Sequence, residues 1–189
     1  MGKFTEGKTF KNEKFSDLDV KGTEFEGCQF INCNFAEVNL EGTMFVDCTF
    51  DTCDLGMATI RNTAFQNVEF KNCKLIGLAF DECNPFLLNM KFDHCNLSFS
   101  IFYKLKLKKT RFTACKLEEA DFSEADLTEA VFADCDLIGA IFENTNLEYA
   151  DLSTAYQFSI DPEKNEIYNA RFSHQNVIGL LHKYDIIVE

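Results

Sequence analysis

The feature that most constrains this chain is a large apolar residue at every fifth position. Phe and Leu alternate at this spacing through the second half of the sequence, apart from the last step: Phe92, Leu97, Phe102, Leu107, Phe112, Leu117, Phe122, Leu127, Phe132, Leu137, Phe142, Leu147 and Leu152. The residue two positions earlier is mostly small. A period of five matches neither a helix nor a plain strand. It indicates a repeat architecture.

Each repeat has the properties of one short extended segment followed by a turn. A large and a small residue two positions apart point to the same side of an extended chain. Because the next large residue comes five positions later, the chain has to turn once per repeat and resume with the same face inward. This step winds a solenoid whose axis is filled by large and small side chains. The predicted fold class is therefore all-β.

The repeat slips once in the middle of the chain. The first frame runs from Val20 to Phe80, and the distance from Phe80 to Phe92 is twelve residues, two more than two repeats. Pro85 stands where the next Phe or Leu is due, and proline cannot donate to a ladder. Residues 84–91 therefore form either a bulge that joins two stacks or a protruding contact loop.

The two ends depart from the repeat. Lys8 and Glu13 occupy positions meant for small residues, so residues 1–15 predict a ragged first coil or cap. We assign residues 1–172 to the repeat domain and residues 173–189 to a C-terminal module. Ser173 is the expected N-cap of a short helix, followed by a strand from Tyr184 to Val188.

The C-terminal module is too apolar to remain in water. It either caps its own solenoid or pairs with a second copy in a homodimer. Eight residues form the candidate dimer interface: Val177, Ile178, Leu180, Leu181, Tyr184, Ile186, Ile187 and Val188.

All nine cysteines occupy the small inward position of a repeat: Cys28, Cys33, Cys48, Cys53, Cys73, Cys83, Cys95, Cys115 and Cys135. This placement predicts buried thiols that act as small apolar core residues. Reduced thiols point to the cytoplasm. We therefore expect neither a metal site nor a cofactor.

Charge and motif content exclude several function classes. The formal net charge is −13, which disfavours direct binding to nucleic acid or to an anionic membrane and favours a basic partner. No apolar run approaches 18 residues, and the N-terminal segment has no signal-peptide core. The sequence contains no phosphate loop, no nucleophile elbow and no cysteine with a plausible histidine partner, so we expect no enzyme activity.

One stretch of the repeat region is strongly acidic. From residue 118 to residue 151 there is no Lys, Arg or His, and eleven acids form the candidate partner-binding surface: Glu118, Glu119, Asp121, Glu124, Asp126, Glu129, Asp134, Asp136, Glu143, Glu148 and Asp151. A basic cluster precedes them, namely Lys104, Lys106, Lys108, Lys109 and Arg111. The acids either keep a solenoid soluble and serve local turns, or imitate the charge of DNA.

The repeat motif A-[DN]-[LF]-x-x, as in Ala120-Asp121-Phe122 and Ala125-Asp126-Leu127, resembles the pentapeptide repeat family over about residues 16–155. The resemblance implies a right-handed, four-sided parallel β-helix with four repeats per coil. It also implies that the C-terminal module makes a two-fold dimer.

Two segments narrow this resemblance: FKNCKLIGLAF…CNLSFSIFYKLKLKKTRF and the turn from Ser159 to Ile167. They are similar to a subset that includes the immunity protein against a gyrase-poisoning microcin and the Qnr-type fluoroquinolone-resistance proteins. This implies a dimeric DNA mimic that binds DNA gyrase or topoisomerase IV. Qnr-type proteins carry long projecting loops, whereas this chain has only the slip near Pro85. The alternative is a protein–protein scaffold or regulator with an unrelated partner.

Overall fold

The computed structural model of the protein describes residues 3–187. The chain forms a β-solenoid of short strands that are all parallel to their neighbours. One sheet contains β1 (Phe4–Glu6), β3 (Glu24–Glu26), β5 (Met44–Val46) and β7 (Ala64–Gln66). The other contains β2 (Thr9–Lys11), β4 (Gln29–Ile31), β6 (Thr49–Asp51), β8 (Val68–Lys71), β9 (Met90–Asp93), β10 (Arg111–Thr113) and β11 (Val131–Ala133). Single 3₁₀ turns lie at Phe15–Asp17 and Phe80–Glu82.

Outside one coil the register between coils is constant, and it confirms four repeats per coil. Phe30 pairs with Phe50, and Phe112 pairs with Phe132, so partners are 20 residues apart, which is four repeats of five. The solenoid therefore has four faces.

The four faces are numbered in chain order. Face 1 carries the β1 sheet and continues through Lys106, Asp126, Asn146 and Glu166. Face 2 carries the β2 sheet and continues through Asp151 and Arg171. Face 3 runs through Lys14, Asn34, Asp54, Lys74, Asn96, Lys116, Asp136 and Tyr156. Face 4 runs through Asn39, Thr59, Ala79, Ile101, Asp121 and Ile141.

The frame slip is absorbed within one coil. Val68 pairs with Met90 and Ala79 with Ile101, so the offset there is 22 residues, and the 20-residue offset resumes above it. The two extra residues bulge out at the corner between faces 1 and 2, where Phe86 and Leu87 are 67% and 63% exposed. The stack is thus continuous across the slip, which agrees with the bulge interpretation; whether the bulge is also a contact loop stays a prediction.

The backbone turn at each corner explains which residue types follow the large inward side chain. The residue two positions after the large inward residue adopts a left-handed φ, for example 52° at Asn32, 55° at Asn62 and 68° at Gly42. Glycine and asparagine tolerate this conformation better than other residues. The corner turn and the inward pair together account for the five-residue period.

The core consists of columns of phenylalanine rings that run along the solenoid axis. On face 2, the Phe112 ring stacks between those of Phe92 and Phe132, with centroids 5.1 and 4.9 Å away. On face 4, the Phe122 ring stacks on that of Phe102 at 4.9 Å. Rings of neighbouring columns meet edge to face, as Phe112 and Phe122 do at 5.9 Å. Both geometries suit the aromatic quadrupole, so each ring is held by neighbours above, below and beside it.

The cysteines form ladders beside the rings. All nine are buried and have free thiols, as the repeat position predicts. Six of them lie one above another on face 3: Cys33, Cys53, Cys73, Cys95, Cys115 and Cys135. Their thiols donate to backbone carbonyls, as Cys53 Sγ does to Phe30 O at 3.3 Å. Burial raises the pKa of the Cys48 thiol to about 12, so the unreactive neutral form is favoured.

The first coil follows the repeat on two faces and departs from it on the third, so the expected ragged start is found only in part. The strands β1 and β2 pair in register with β3 and β4, and Phe10 stacks on Phe30. On face 3 the chain forms the 3₁₀ turn Phe15–Asp17. Lys8 and Glu13 are tolerated because both side chains are exposed.

The C-terminal module also differs from the prediction. Residues Val177–Leu180 and His182–Tyr184 form two 3₁₀ turns, with no α-helix in the described part of the chain. Ser173 and Asn176 exchange hydrogen bonds before the first turn, as an N-cap would. The predicted strand is absent from Tyr184 to Ile187, because Asp185 adopts a left-handed φ of 49° that interrupts an extended run. Val188 lies outside the described residues.

Packing against the last coil holds this segment in place. The Asn176 side chain donates to Leu152 O at 2.7 Å and to Ala155 O at 2.9 Å, which satisfies carbonyls at the end of the solenoid. Gly179 lies so close to Phe158 that a Cβ would overlap the ring. These contacts favour short turns over a longer helix, since a helix this short is marginal by itself.

Removing one ring from a column should strongly destabilise the protein. We expect Phe112→Ala to lower the free energy of unfolding by about 3–5 kcal/mol, because the cavity has rigid neighbours on three sides. Urea unfolding followed by circular dichroism measures this change. The exposed Lys91→Ala on the same face should stay within about 0.5 kcal/mol of the unmodified protein. Equal stability of the two variants would contradict the stacked-core description.

Burial of the thiols predicts low chemical reactivity. Treated with Ellman's reagent at mildly alkaline pH, the folded protein should release almost no thionitrobenzoate over minutes. In concentrated guanidinium all nine thiols should react. Rapid reaction of several thiols without denaturant would show that the ladders are accessible to solvent.

Candidate protein-interaction surface

The eleven acids lie on two successive coils and extend over all four faces. In the lower coil, Glu118 lies on face 3, Asp121 on face 4 and Asp126 on face 1. In the upper coil, Asp136 lies on face 3 and Asp151 on face 2. The register therefore produces an acidic belt around the solenoid rather than a single acidic face.

The aspartates that precede an inward residue have a structural task. Asp121 Oδ1 accepts the Ser123 N–H at 2.8 Å, Asp136 Oδ1 accepts the Ile138 N–H at 3.1 Å, and Asp151 Oδ1 accepts the Ser153 N–H at 3.0 Å. This is the local turn that Asp and Asn favour. The aspartates thus stabilise their own backbone turns, as one of the two interpretations of the acidic stretch predicts. They also place carboxylates on the surface.

The basic cluster lies directly below the belt and neutralises part of it. Lys104 Nζ lies 3.2 Å from Glu124 Oε2, and Lys109 Nζ lies 3.5 Å from Glu129 Oε2. Lys108 pairs with Asp126 in the same way, at 3.2 Å. Hydrogen bonds to Tyr103 and Glu124 raise the pKa of Lys104, so this cation stays charged. The neutralised acids lie on faces 4 and 1.

Cations from the coil above neutralise two further acids. Lys164 pairs with Glu143 at 3.1 Å, and Arg171 pairs with Asp151 at 3.1 Å. On face 3, Lys116 pairs with Glu118 at 2.5 Å. Such exposed pairs contribute little to stability, but they determine where negative charge remains.

Five acids of the belt have no ion pair within residues 3–187: Glu119, Asp121, Asp134, Asp136 and Glu148. Four of these lie together, because Asp136 is on face 3, Asp134 and Glu119 are at its two corners, and Asp121 is on the adjoining edge of face 4. We call Glu119, Asp121, Asp134 and Asp136 the acidic side. Ion pairing between coils thus selects one side of the belt, which the sequence alone does not do.

The predicted dimer residues are divided between the protein's own core and its surface. Leu180 packs against the core, and Ile178 and Leu181 are half-buried. Val177, Tyr184, Ile186 and Ile187 are exposed, with Ile187 at 89%. The module therefore caps its own solenoid and still presents apolar side chains outward.

Other kinds of site find little support in the part of the chain that the structure describes. No group of three or more His, Cys, Asp and Glu side chains there is arranged to hold a metal ion. None of the helices within residues 3–187 has the length and apolar character needed to span a bilayer. The depressions on the surface of this part are open grooves, such as one of about 400 Å³ beside Lys164 and Lys183 and one of about 520 Å³ between Arg111 and Arg171.

A solid β-solenoid with a filled axis and a charged outer surface defines a class of repeat protein. Sequence comparison agrees, because the profile of the pentapeptide repeat region matches residues 23–85 and 78–152. The chain belongs to the pentapeptide repeat family. No curated protein sequence matches it significantly.

Solved structures with the same fold include proteins of different roles. HetL, a pentapeptide repeat protein involved in heterocyst differentiation regulation in the cyanobacterium Nostoc sp. strain PCC 7120, has a TM-score of 0.74 at 16% identity, covering 89% of this chain and 85% of HetL. A trypsin-treated variant of QnrB1, a plasmid-mediated fluoroquinolone resistance protein, has a TM-score of 0.54 at 26% identity, covering 100% of this chain and 98% of that chain. Another such variant has a TM-score of 0.51 at 23% identity, covering 98% and 100%.

Charge can be removed from the belt without removing the turns. We expect Asp→Asn at positions 121, 126, 136 and 151 to change the free energy of unfolding by less than about 1 kcal/mol, because Asn Oδ1 accepts the same backbone N–H. Ala at the same four positions should cost about 0.5–1.5 kcal/mol each. Urea unfolding of the two quadruple variants compares these effects. Equal loss in both would mean that the carboxylate charge, rather than the turn, matters for stability.

Proposed function

We propose that this protein is a non-catalytic binding protein of the cytoplasm that engages a type II topoisomerase, DNA gyrase or topoisomerase IV, as a mimic of DNA. The acidic side occupies the basic groove that normally holds the duplex. Binding either competes with DNA or protects the enzyme from poisons such as fluoroquinolones.

The observation that carries the proposal is the linear charge density of the belt. It holds eleven carboxylates and no basic residue within residues 118–151. Two coils span about 10 Å of solenoid axis, since neighbouring parallel strands are about 4.8 Å apart. Duplex DNA carries one phosphate charge per about 1.7 Å of axis, a comparable density. Six of the eleven carboxylates form ion pairs, and the four of the acidic side have none among the described residues, so the unpaired charge is concentrated there.

The similarity to QnrB1 also favours a topoisomerase as the partner. QnrB1 is a fluoroquinolone resistance protein, and its match covers the whole of this chain at 26% identity. Residues 3–187 contain no long loop that projects from the solenoid, so we assign the contact to the belt rather than to a loop.

We further propose a homodimer through the C-terminal module. The exposed Val177, Ile186 and Ile187 continue an apolar surface beyond the solenoid end. A two-fold dimer there would place two belts on one longer rod, with both acidic surfaces available to a two-fold symmetric enzyme.

A gyrase supercoiling assay tests the function. The protein is titrated with and without a fluoroquinolone, beside the variant E119Q/D121N/D134N/D136N. Loss of supercoiling would identify a competitor of DNA, and rescue from the drug would identify a protective factor. In either case we expect the variant to need about tenfold more protein, because its charge complementarity is reduced.

The matched control removes four acids far from the belt, in the variant E24Q/E26Q/D47N/D51N. Its net charge equals that of the first variant, so it should act like the unmodified protein. No effect of micromolar protein on gyrase or on topoisomerase IV would rule the proposal out and favour a scaffold or regulator with an unrelated partner.

A further inference from the structure

Large apolar side chains line one corner of the solenoid just below the acidic side. Met57 and Phe99 lie at the corner between faces 3 and 4 and are 65% and 49% exposed. Gly77 lies between them, because the Met57 N–H donates to Ile76 O and the Gly77 N–H donates to Ser98 O. We call Met57, Gly77 and Phe99 the corner ridge.

The ridge is continuous along the axis. A Cβ at Gly77 would lie 2.6 Å from Met57 Sδ, so the Met57 side chain extends over the space that the glycine leaves open. Phe99 follows one coil above Gly77. Three successive coils thus present one apolar strip about 10 Å long, given the spacing of parallel strands.

Met57 and Phe99 occupy corners at which the fold accepts many residue types. Both adopt left-handed φ values, 56° and 61°, as do the apolar Leu87 and Tyr149 at other corners, so the φ values alone assign no role. The same column holds Glu37, Glu119 and Gly139 in other coils. Met57 and Phe99 differ from the other apolar corner residues in their place, because they lie in one column, on either side of a glycine, next to the acidic side.

A further apolar side chain, Ile101, borders the ridge on face 4 and is 38% exposed. Beyond Ile101, the Tyr103 hydroxyl donates to Glu124, and Lys104 Nζ lies 4.7 Å from the Tyr103 ring centroid, so a cation limits the patch on that side. Ile101 forms a bridge with Asp121, and the Phe99 N–H donates to Glu118 O at 2.8 Å. The apolar patch therefore ends directly at the acidic side.

Carboxylates also border the patch elsewhere on face 4. Burial raises the pKa of Asp81, and the nearby carboxylates of Glu82 and Asp121 act in the same direction. Asp81 has no ion pair within the described residues. An apolar centre with a negatively charged border is the arrangement of many protein interfaces.

We propose that the corner ridge, with Ile101, is the apolar centre of a docking surface whose charged border is the acidic side. Its partner is a basic protein segment that presents apolar side chains between lysines and arginines. Charge complementarity with the border favours this occupant, and the exposed ridge requires apolar groups opposite it. The identity of the partner as a topoisomerase rests on the proposed function, whereas the chemistry of the partner does not.

The proposal separates two contributions to binding. A pure imitation of DNA would bind through charge alone and weaken steeply with salt. A surface with an apolar centre keeps part of its affinity at high salt, because burial of apolar area is not screened.

The test compares M57N/F99N with L87N/Y149N. Asn suits all four left-handed positions, so both variants should fold, and urea unfolding verifies this. Leu87 and Tyr149 are also exposed, at 63% and 51%, but lie at the opposite corner between faces 1 and 2. Equilibrium dissociation constants for gyrase are measured by biolayer interferometry at about 0.1 M and about 0.5 M KCl.

We expect M57N/F99N to raise the dissociation constant about tenfold at both salt concentrations, as loss of an interface centre does. L87N/Y149N should stay within about twofold of the unmodified protein. The belt variant E119Q/D121N/D134N/D136N should instead weaken binding mainly at low salt. Unchanged affinity of M57N/F99N, beside a clear loss in the belt variant, would overturn the inference and leave the proposed function intact.

A second probe keeps the inference testable if topoisomerases do not bind. A fluorescein-labelled amphipathic peptide of Leu and Lys is titrated with each protein, and binding is followed by fluorescence anisotropy. Weaker binding to M57N/F99N than to L87N/Y149N supports the docking surface. Equal binding to both variants rejects it, whatever the result with gyrase.

Discussion

Closure of the coil at 20 residues is the constraint on which the rest of this structure depends. Because each coil returns to the same place after four repeats, every inward phenylalanine meets another one above and below it, as Phe92, Phe112 and Phe132 do. The rings stack at the spacing set by backbone hydrogen bonds between strands, so the core and the ladder reinforce each other. An insertion therefore has to bulge outward at a corner, as the two extra residues near Pro85 do.

The same closure decides which charges meet on the surface. Residues 20 apart in sequence become neighbours, so Lys104 faces Glu124 and Lys109 faces Glu129. A basic cluster followed by an acidic stretch therefore becomes a stack of ion pairs on faces 1 and 4. On face 3 and its corners, Lys116 pairs with Glu118, whereas Glu119, Asp134 and Asp136 have no ion pair among the described residues. The solenoid thus converts a linear charge pattern into a directional one, and both the proposed groove contact and the docking surface depend on that direction.

Core and surface are independent in this fold. In the described coils the inward positions are occupied mostly by Phe, Leu, Cys and Ala, while three of every five residues point outward. Outward residues can contact a partner without disturbing the stacked core. Met57 and Phe99 are assigned a role because they expose large apolar side chains next to the acidic side.

The sequence by itself determined the all-β solenoid, the inward residues and the burial of every cysteine, because a five-residue period has few physical solutions. The sequence does not show that the first coil pairs in register on faces 1 and 2 despite Lys8 and Glu13, because that pairing depends on the backbone of the coil above. The C-terminal module was predicted as helix and strand, yet contacts of Asn176 and Gly179 with the last coil produce 3₁₀ turns instead. Which acids remain uncompensated, and that Phe99 adjoins Glu118, were decided only by the tertiary structure, because both depend on which residues the coil closure places one above another.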